Sequence, residues 1–249
     1  MKRIYFLLPF IAAFFLIALY SCETEPLDPV LAQEIGNNQN NPGDGNNSGP
    51  ALPGDYWPRA VNNTWNYNDN GINSEVKMQN FETISGQSWI KFSDFFGSSV
   101  LGADVQLTAW MRRNVNDYIV RQSVIIPADD EIGFPQITVS PMNVIVLKQQ
   151  LNEGDTWVQT ASQTVTIAGG TSSTETVTFN GRILSKDQTF SVGGVNYENV
   201  IHVRLDQVSS LGSTSTQYWF ARDIGIVKQI STSEGQVLSS WELVNYTLN

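Results

Sequence analysis

The chain has 249 residues, with 24 Asp or Glu against 14 Lys or Arg and a formal net charge of −10. So acidic a balance argues against nucleic-acid binding, where phosphates demand a basic face. A single cysteine and a single histidine exclude an intramolecular disulfide, a thiolate metal cluster and a multi-histidine metal site.

The N-terminus reads as a targeting segment. Lys2 and Arg3 make a short positive start, and the run from Ile4 to Tyr20 is apolar apart from Pro9 before Ser21 and Cys22, the layout of a secretory leader. The apolar run is near the lower limit for crossing a bilayer; Leu19-Tyr20-Ser21-Cys22 favours cleavage over a membrane span. It resembles the lipobox of bacterial lipoproteins, an aliphatic residue, a variable one, a small one and the cysteine to be acylated, with Tyr20 bulkier than usual. The resemblance implies removal of residues 1–21, then a diacylglycerol and further acyl chains such as palmitate on Cys22, enough to anchor a protein stably. Loss of Lys2 and Arg3 moves the net charge from −10 to −12, so membrane contact is expected through this lipid and not through a basic patch. Glu23 and Glu25 resemble the acidic surface-export signal of Bacteroidota lipoproteins, which implies an outer-membrane address and points to the cell surface.

Residues 22–55 form the expected tether. Gly36 to Pro50 offers no apolar side chain to bury, so ordering it would cost backbone entropy without return. A coil of this length and composition spans on the order of 30 Å.

Residues 56–249 are expected to form one domain of about 195 residues, large enough for a sizeable core. Short runs rich in Val, Ile, Thr and aromatics recur between turn signals, and no long stretch has helical apolar spacing, which predicts an all-β antiparallel meander of ten or twelve strands. Asn70-Gly71 supplies a tight hairpin turn between Thr64–Tyr67 and Ser74–Met78. The alternating segments Thr164–Ile167 and Thr174–Phe179 predict a second hairpin turning at Ala168 to Ser172, each strand with one buried face. Asn62-Asn63-Thr64-Trp65 and Gly154-Asp155-Thr156-Trp157 echo one another, too briefly to establish a repeat.

Tyr56-Trp57-Pro58 followed by Asn63-Thr64-Trp65-Asn66-Tyr67, and the later Tyr218-Trp219-Phe220-Ala221-Arg222-Asp223-Ile224-Gly225-Ile226-Val227-Lys228, resemble the opening and closing motifs of uncharacterised Bacteroidota outer-membrane lipoproteins. The resemblance implies a half-open barrel or strongly curved sheet like the periplasmic lipoprotein carriers, and no activity. The closing motif reads as two strands joined at Asp223-Ile224-Gly225, with Tyr218, Phe220, Ile224 and Val227 packing.

Of the seven tryptophans, Trp65, Trp157 and Trp219 fall within strand patterns and are assigned to the core. Trp57 and Trp110 are freer and become the candidate ligand-binding residues, since aromatic faces stack on sugar rings or apolar ligands. Asp129-Asp130-Glu131 has the oxygens for calcium but reads more simply as a solvated loop. The run Asn66, Asn68, Asn70, Gly71 imitates a calcium loop, yet Lys77 stands where a bidentate Glu belongs. His202 alternates with Ile201 and Val203 as a plain strand residue. No phosphate loop, nucleophile elbow or dinucleotide fingerprint is present, so no catalytic residue, metal or cofactor is assigned. The expected function is that of a non-enzymatic binding or accessory lipoprotein of the outer membrane, holding a glycan or an apolar ligand. The alternatives are an interaction subunit that meets an envelope protein partner and, second, a polysaccharide or peptide hydrolase, whose paired carboxylates would leave no local signature.

Overall fold

The computed structural model describes residues 54–96, 105–210 and 212–249. The leader, Cys22, Glu23, Glu25 and the tether from Gly36 to Pro50 lie outside the described residues. Twelve β-strands follow in order: β1 (Thr64–Asp69), β2 (Ile72–Ile84), β3 (Gln87–Phe92), β4 (Gln106–Asn114), β5 (Asp117–Ile126) and β6 (Ile137–Lys148). The second half comprises β7 (Thr156–Ile167), β8 (Ser172–Val192), β9 (Val195–Ser209), β10 (Gly212–Ala221), β11 (Gly225–Ser233) and β12 (Gln236–Thr247). No helix occurs among the described residues.

Each strand pairs antiparallel with its neighbours in sequence, and β1 also pairs with β12, from Thr64 opposite Thr247 to Asn68 opposite Glu242. The all-β meander expected from sequence is therefore present, and the sheet goes one step beyond a half-open barrel by closing. Closure satisfies the backbone groups that two edge strands would otherwise expose.

The turns form where the sequence places them. Asn70 and Gly71 hold φ of 50° and 90°, the left-handed pair that joins β1 to β2 with a twist matching the strands. The β7–β8 hairpin turns after Ile167 and restarts at Ser172, with Thr166 opposite Ser172. Gly225, at φ 118°, ends the β10–β11 turn, where an added Cβ would lie 3.0 Å from Trp65 Nε1 and 3.4 Å from Trp57 Cδ1. The two echoing tetrapeptides enter β1 and β7, which stand six strands apart on the ring, and both Trp65 and Trp157 point into the lumen as buried residues.

Two stretches of the ring have short backbone ladders. Strands β3 and β4 share only the pairs Ile90–Met111 and Lys91–Trp110, and β6 meets β7 only from Ile137 to Val139. Beyond these pairs side chains bridge the β6–β7 seam: Ser140 Oγ accepts from Thr164 N at 2.8 Å, and further along Gln159 stands in for the ladder. Its Oε1 accepts from Ile145 N at 2.8 Å and its Nε2 donates to Asn143 O at 2.6 Å, the same donor and acceptor pattern that a facing strand would offer.

The long β8–β9 hairpin continues beyond the barrel wall. Ladder irregularities between Ile183 and Phe190 bend it, as bulges do, and its far end lies back over the outside of β10 to β12. There Phe190 stacks on Trp219 at 5.2 Å, and Val192, Gly193 and Val195 share an open groove with Ser240, Glu242 and Val244. Trp219 is buried as expected, but from the outer face, under this hairpin, and not from the lumen.

Candidate functional site

A twelve-stranded barrel encloses more space than its wall side chains alone can fill, so the contents of the lumen decide what the protein can hold. One end is plugged by the segment preceding β1. Gly54 and Asp55 donate their backbone N–H groups to Asp223 Oδ1 at 2.7 and 3.0 Å. Asp55 is buried, and its Oδ1 accepts from Trp57 N at 3.0 Å and from the Tyr118 hydroxyl at 2.6 Å, while Arg113 stands 3.6 Å from Oδ2. Burial, followed by the charge of Asp55, pushes the Tyr118 hydroxyl far above its ordinary titration range, which favours the protonated phenol that donates to Asp55.

This plug corrects the expectation for Trp57. The residue is 1 % exposed and packs at 5.5 Å from Phe92, 6.4 Å from Phe95 and 5.9 Å from Phe220, so neither ring face is open to a ligand. Its neighbour Pro58 ends the tether in sequence, but long-range contacts with β3 and β10 govern where the ring goes. Trp110 is half-buried on the outer wall, where its indole N–H donates to Glu82 Oε2 at 2.7 Å and Lys91 lies 3.8 Å from the same carboxylate. The structure does not bring Trp57 and Trp110 together.

The acidic run Asp129-Asp130-Glu131 lies in the β5–β6 connection. Asp129 Oδ1 accepts from Glu131 N at 3.0 Å and Ile132 N at 3.4 Å, which makes it a turn-forming side chain. Among the described residues, no group of three or more His, Cys, Asp or Glu is placed to hold a metal. His202 faces outward on β9, stacked on Trp219 at 4.0 Å, with Nε2 2.9 Å from Gln217 Oε1. Burial of the ring, partly offset by that hydrogen bond, lowers its titration point below the ordinary 6.5.

The lumen itself is filled unevenly. Trp57, Phe92, Phe95, Phe96 and Tyr67 form an aromatic column, with Phe95 and Phe96 at 5.0 Å and Phe96 and Tyr67 at 5.0 Å. Tyr67 is fixed by donation from its hydroxyl to Ile226 O at 2.7 Å. Beside this column remains a cavity of about 240 Å³ with walls of two kinds. On β4 to β6 the wall is Leu107, Val120, Met142, Val144 and Val146, with Gln122 as its one polar member; across the ring, β9 to β11 present Leu205 with Gln207, Thr214, Thr216, Tyr218, Gln229 and Ser231. None of the described residues lining it is a carboxylate or a cation.

The polar wall is a ladder of inward-facing pairs. Thr216 lies opposite Ser231 and Tyr218 opposite Gln229. Thr216 Oγ1 and Ser231 Oγ are 3.2 Å apart, and Gln229 Nε2 donates to Ser231 Oγ at 3.2 Å. Gln229 is 8 % exposed, yet its Oε1 has no hydrogen-bond partner. Burial pushes the Tyr218 hydroxyl well above its usual range, with the hydrogen bond to Thr216 pulling the other way, so it stays neutral. None of the β9 to β11 polar residues was a sequence candidate, although Tyr218 lay within the closing motif.

No known protein family and no curated protein matches the chain. Among solved structures, it is similar to a protein of Bacteroides fragilis described as exported and of YmcC-like fold, at 10 % identity over 77 % of this chain and 98 % of that one, with a TM-score of 0.37.

Proposed function

We propose that the barrel is the ligand-binding module of a lipid-anchored, extracytoplasmic lipoprotein of the outer membrane, and that the ligand sits inside the lumen, not on exposed tryptophans. The observation that carries the reading is the cavity of about 240 Å³ with a mainly apolar wall facing a mainly polar one. Small-ligand sites combine apolar surface with placed polar groups, and this lining offers both in nearly equal measure. The neutral lining supports binding over acid–base chemistry, which needs titratable groups within reach of a substrate. The Lys2 to Cys22 leader supports the anchor, and Glu23 and Glu25 support export to the outer membrane.

The test is to purify the mature protein from native membranes and extract it with organic solvent for mass spectrometry. A stoichiometric small molecule of low polarity is expected, and its loss on Val144→Trp, which fills the cavity, would place it in the lumen. An extract with no such molecule, together with failure of the purified protein to bind short-chain apolar probes, would refute the reading. For the anchor, Cys22→Ala is expected to abolish labelling by palmitate and release the protein from the membrane fraction.

A further inference from the structure

The outer wall carries a second surface, separate from the lumen and independent of what the lumen holds. We propose that Trp110, Lys91 and Arg121 form a binding site for an acidic sugar, a pyranose ring bearing a carboxylate, with the indole as floor and the two cations as flanks.

The strand register builds this site. Ala109 and Met111 are buried in the barrel, so Trp110 between them faces out. Lys91 of β3 lies opposite it on one side and Arg121 of β5 on the other, each with its Cβ about 5 Å away. The indole N–H donates to Glu82 Oε2 at 2.7 Å. Because Glu82 belongs to β2, the ring is turned toward that strand, over the outside of β3. Half-buried there, it keeps part of its surface in solvent.

Charge sets the surface apart. The chain has a net charge of −10 and repels anions at a distance. Here, by contrast, Lys91 and Arg121 flank the ring, and Arg112, whose guanidinium stands 5.2 Å over the Trp89 ring, follows two residues along β4. Glu82 is already engaged, by the indole and by Lys91 at 3.8 Å. Arg121 forms no ion pair among the described residues. Its Nη1 donates to Asn143 Oδ1 at 3.0 Å, and a guanidinium has further N–H groups in a fork that suits a carboxylate.

The occupant follows from what surrounds the ring. Aromatic faces stack on sugar rings, and the half-buried Thr108, Ser123 and Asn143 on the same face offer neutral hydrogen-bonding groups to hydroxyls. Among the described residues, none of the large exposed apolar side chains lies on β3, β4 or β5, so this face has nothing to insert into a lipid surface. An acidic peptide would satisfy Arg121 but bring no ring to the indole.

The experiment titrates the mature wild-type protein at pH 7 with trigalacturonate, its methyl ester and hexaglutamate, using calorimetry and ligand-observed NMR. The sugar acid is expected to bind about tenfold tighter than the ester, the size of one charge-assisted hydrogen bond, and about tenfold tighter than hexaglutamate. Arg121→Gln, which keeps a donor for Asn143, should erase the advantage of acid over ester. Trp110→Ala should weaken acid and ester alike, by about tenfold. Should that variant fail to fold, Arg121→Gln and Lys91→Gln, both at the surface, carry the test. Equal binding of acid and ester by the wild type, or an unchanged preference in Arg121→Gln, would overturn this inference. Hexaglutamate binding as tightly as the sugar acid would also overturn it, marking the face as a dock for acidic peptides. If trigalacturonate did not bind at all, the site would fall and the lumen reading would be untouched.

Discussion

Gly181→Ala probes how tightly the floor of the lumen is packed. Gly181 of β8 lies opposite Trp157 of β7 in the ladder, and both side-chain positions point inward. A Cβ at position 181 would stand 2.1, 2.2 and 2.5 Å from Cε2, Cζ2 and Cδ2 of the indole, where carbon atoms normally meet at about 3.5–4.0 Å. The ring must therefore retreat by more than about 1 Å. Gly181 is absent from the positive-φ positions, so alanine brings no backbone strain and the cost is steric. Overpacking of this kind typically costs ~1–3 kcal/mol, and three simultaneous clashes with a rigid ring place Gly181→Ala at the upper end, ~3 kcal/mol. For a domain of about 195 residues that corresponds to a fall in Tm of roughly 6–12 °C. Trp157→Ala alone should cost ~3–5 kcal/mol through the cavity it leaves. Combined, the two changes should cost less than their sum by ~2 kcal/mol, since the methyl then enters space the indole has vacated. Urea unfolding followed by far-UV circular dichroism gives all three values. A cost below ~0.5 kcal/mol for Gly181→Ala, or strict additivity in the double variant, would refute the steric account.

Three further outcomes test other parts of the barrel. Asp223→Ala removes the acceptor of Gly54 N and Asp55 N and puts alanine at φ 62°, so it should cost ~2–3 kcal/mol and speed hydrogen exchange at those two amides. Asp223→Asn, which keeps an oxygen and tolerates left-handed backbone, should cost less than half as much. Gln159→Ala opens two backbone groups of β6 at Asn143 and Ile145; a loss of ~2 kcal/mol and faster exchange of the Ile145 amide are expected, and unchanged exchange would show that the side chain is not closing the seam. For His202, burial holds the folded-state titration point below 6.5, so the unfolded chain takes up this proton first as pH falls. The site's contribution to stability is then complete above pH 6.5 and declines below it, a slope that His202→Gln should remove. Because the chain has one histidine, its ring-proton NMR titration needs no assignment, and a midpoint above 6.5 would contradict the burial argument.

Local signals in the sequence carried much of the fold. Asn70-Gly71, the Thr164–Ile167 and Thr174–Phe179 alternation and the Asp223–Gly225 bend each fix a turn through short-range conformational preference, and each forms a hairpin. Barrel closure was not legible because β1 and β12 lie at opposite ends of the domain sequence, and nothing local in Thr64–Asp69 distinguishes an interior strand from an edge. Trp57 shows the same gap. Beside Pro58 and a polar tether it looks like a loop residue, yet its burial follows from Phe92, Phe95 and Phe220, and its backbone from the carboxylate of Asp55.

The candidate site was hidden for a physical reason of its own: β10 and β11 break the rule by which strand faces are read. On β10, Thr214, Thr216 and Tyr218 face the lumen while Ser213, Ser215 and Gln217 face out, so both faces are polar over this stretch and period-two reading has no contrast to work with. On β11 the pattern is inverted, since Gln229 and Ser231 line the cavity and Ile230 between them faces outward. Assigning Ile230 to the core face would shift the strand by one residue and turn the whole polar ladder to solvent. The register with β10, Tyr218 opposite Gln229, forbids that shift. A lumen wall of half-buried Thr, Ser, Gln and Tyr around the buried Gln229 stabilises a barrel less than the Val, Leu and Met of β4 to β6 would. Sequences that are consistent with their fold elsewhere tend to break the rule where a function is served, and here the break falls on the wall that gives the cavity its polar side.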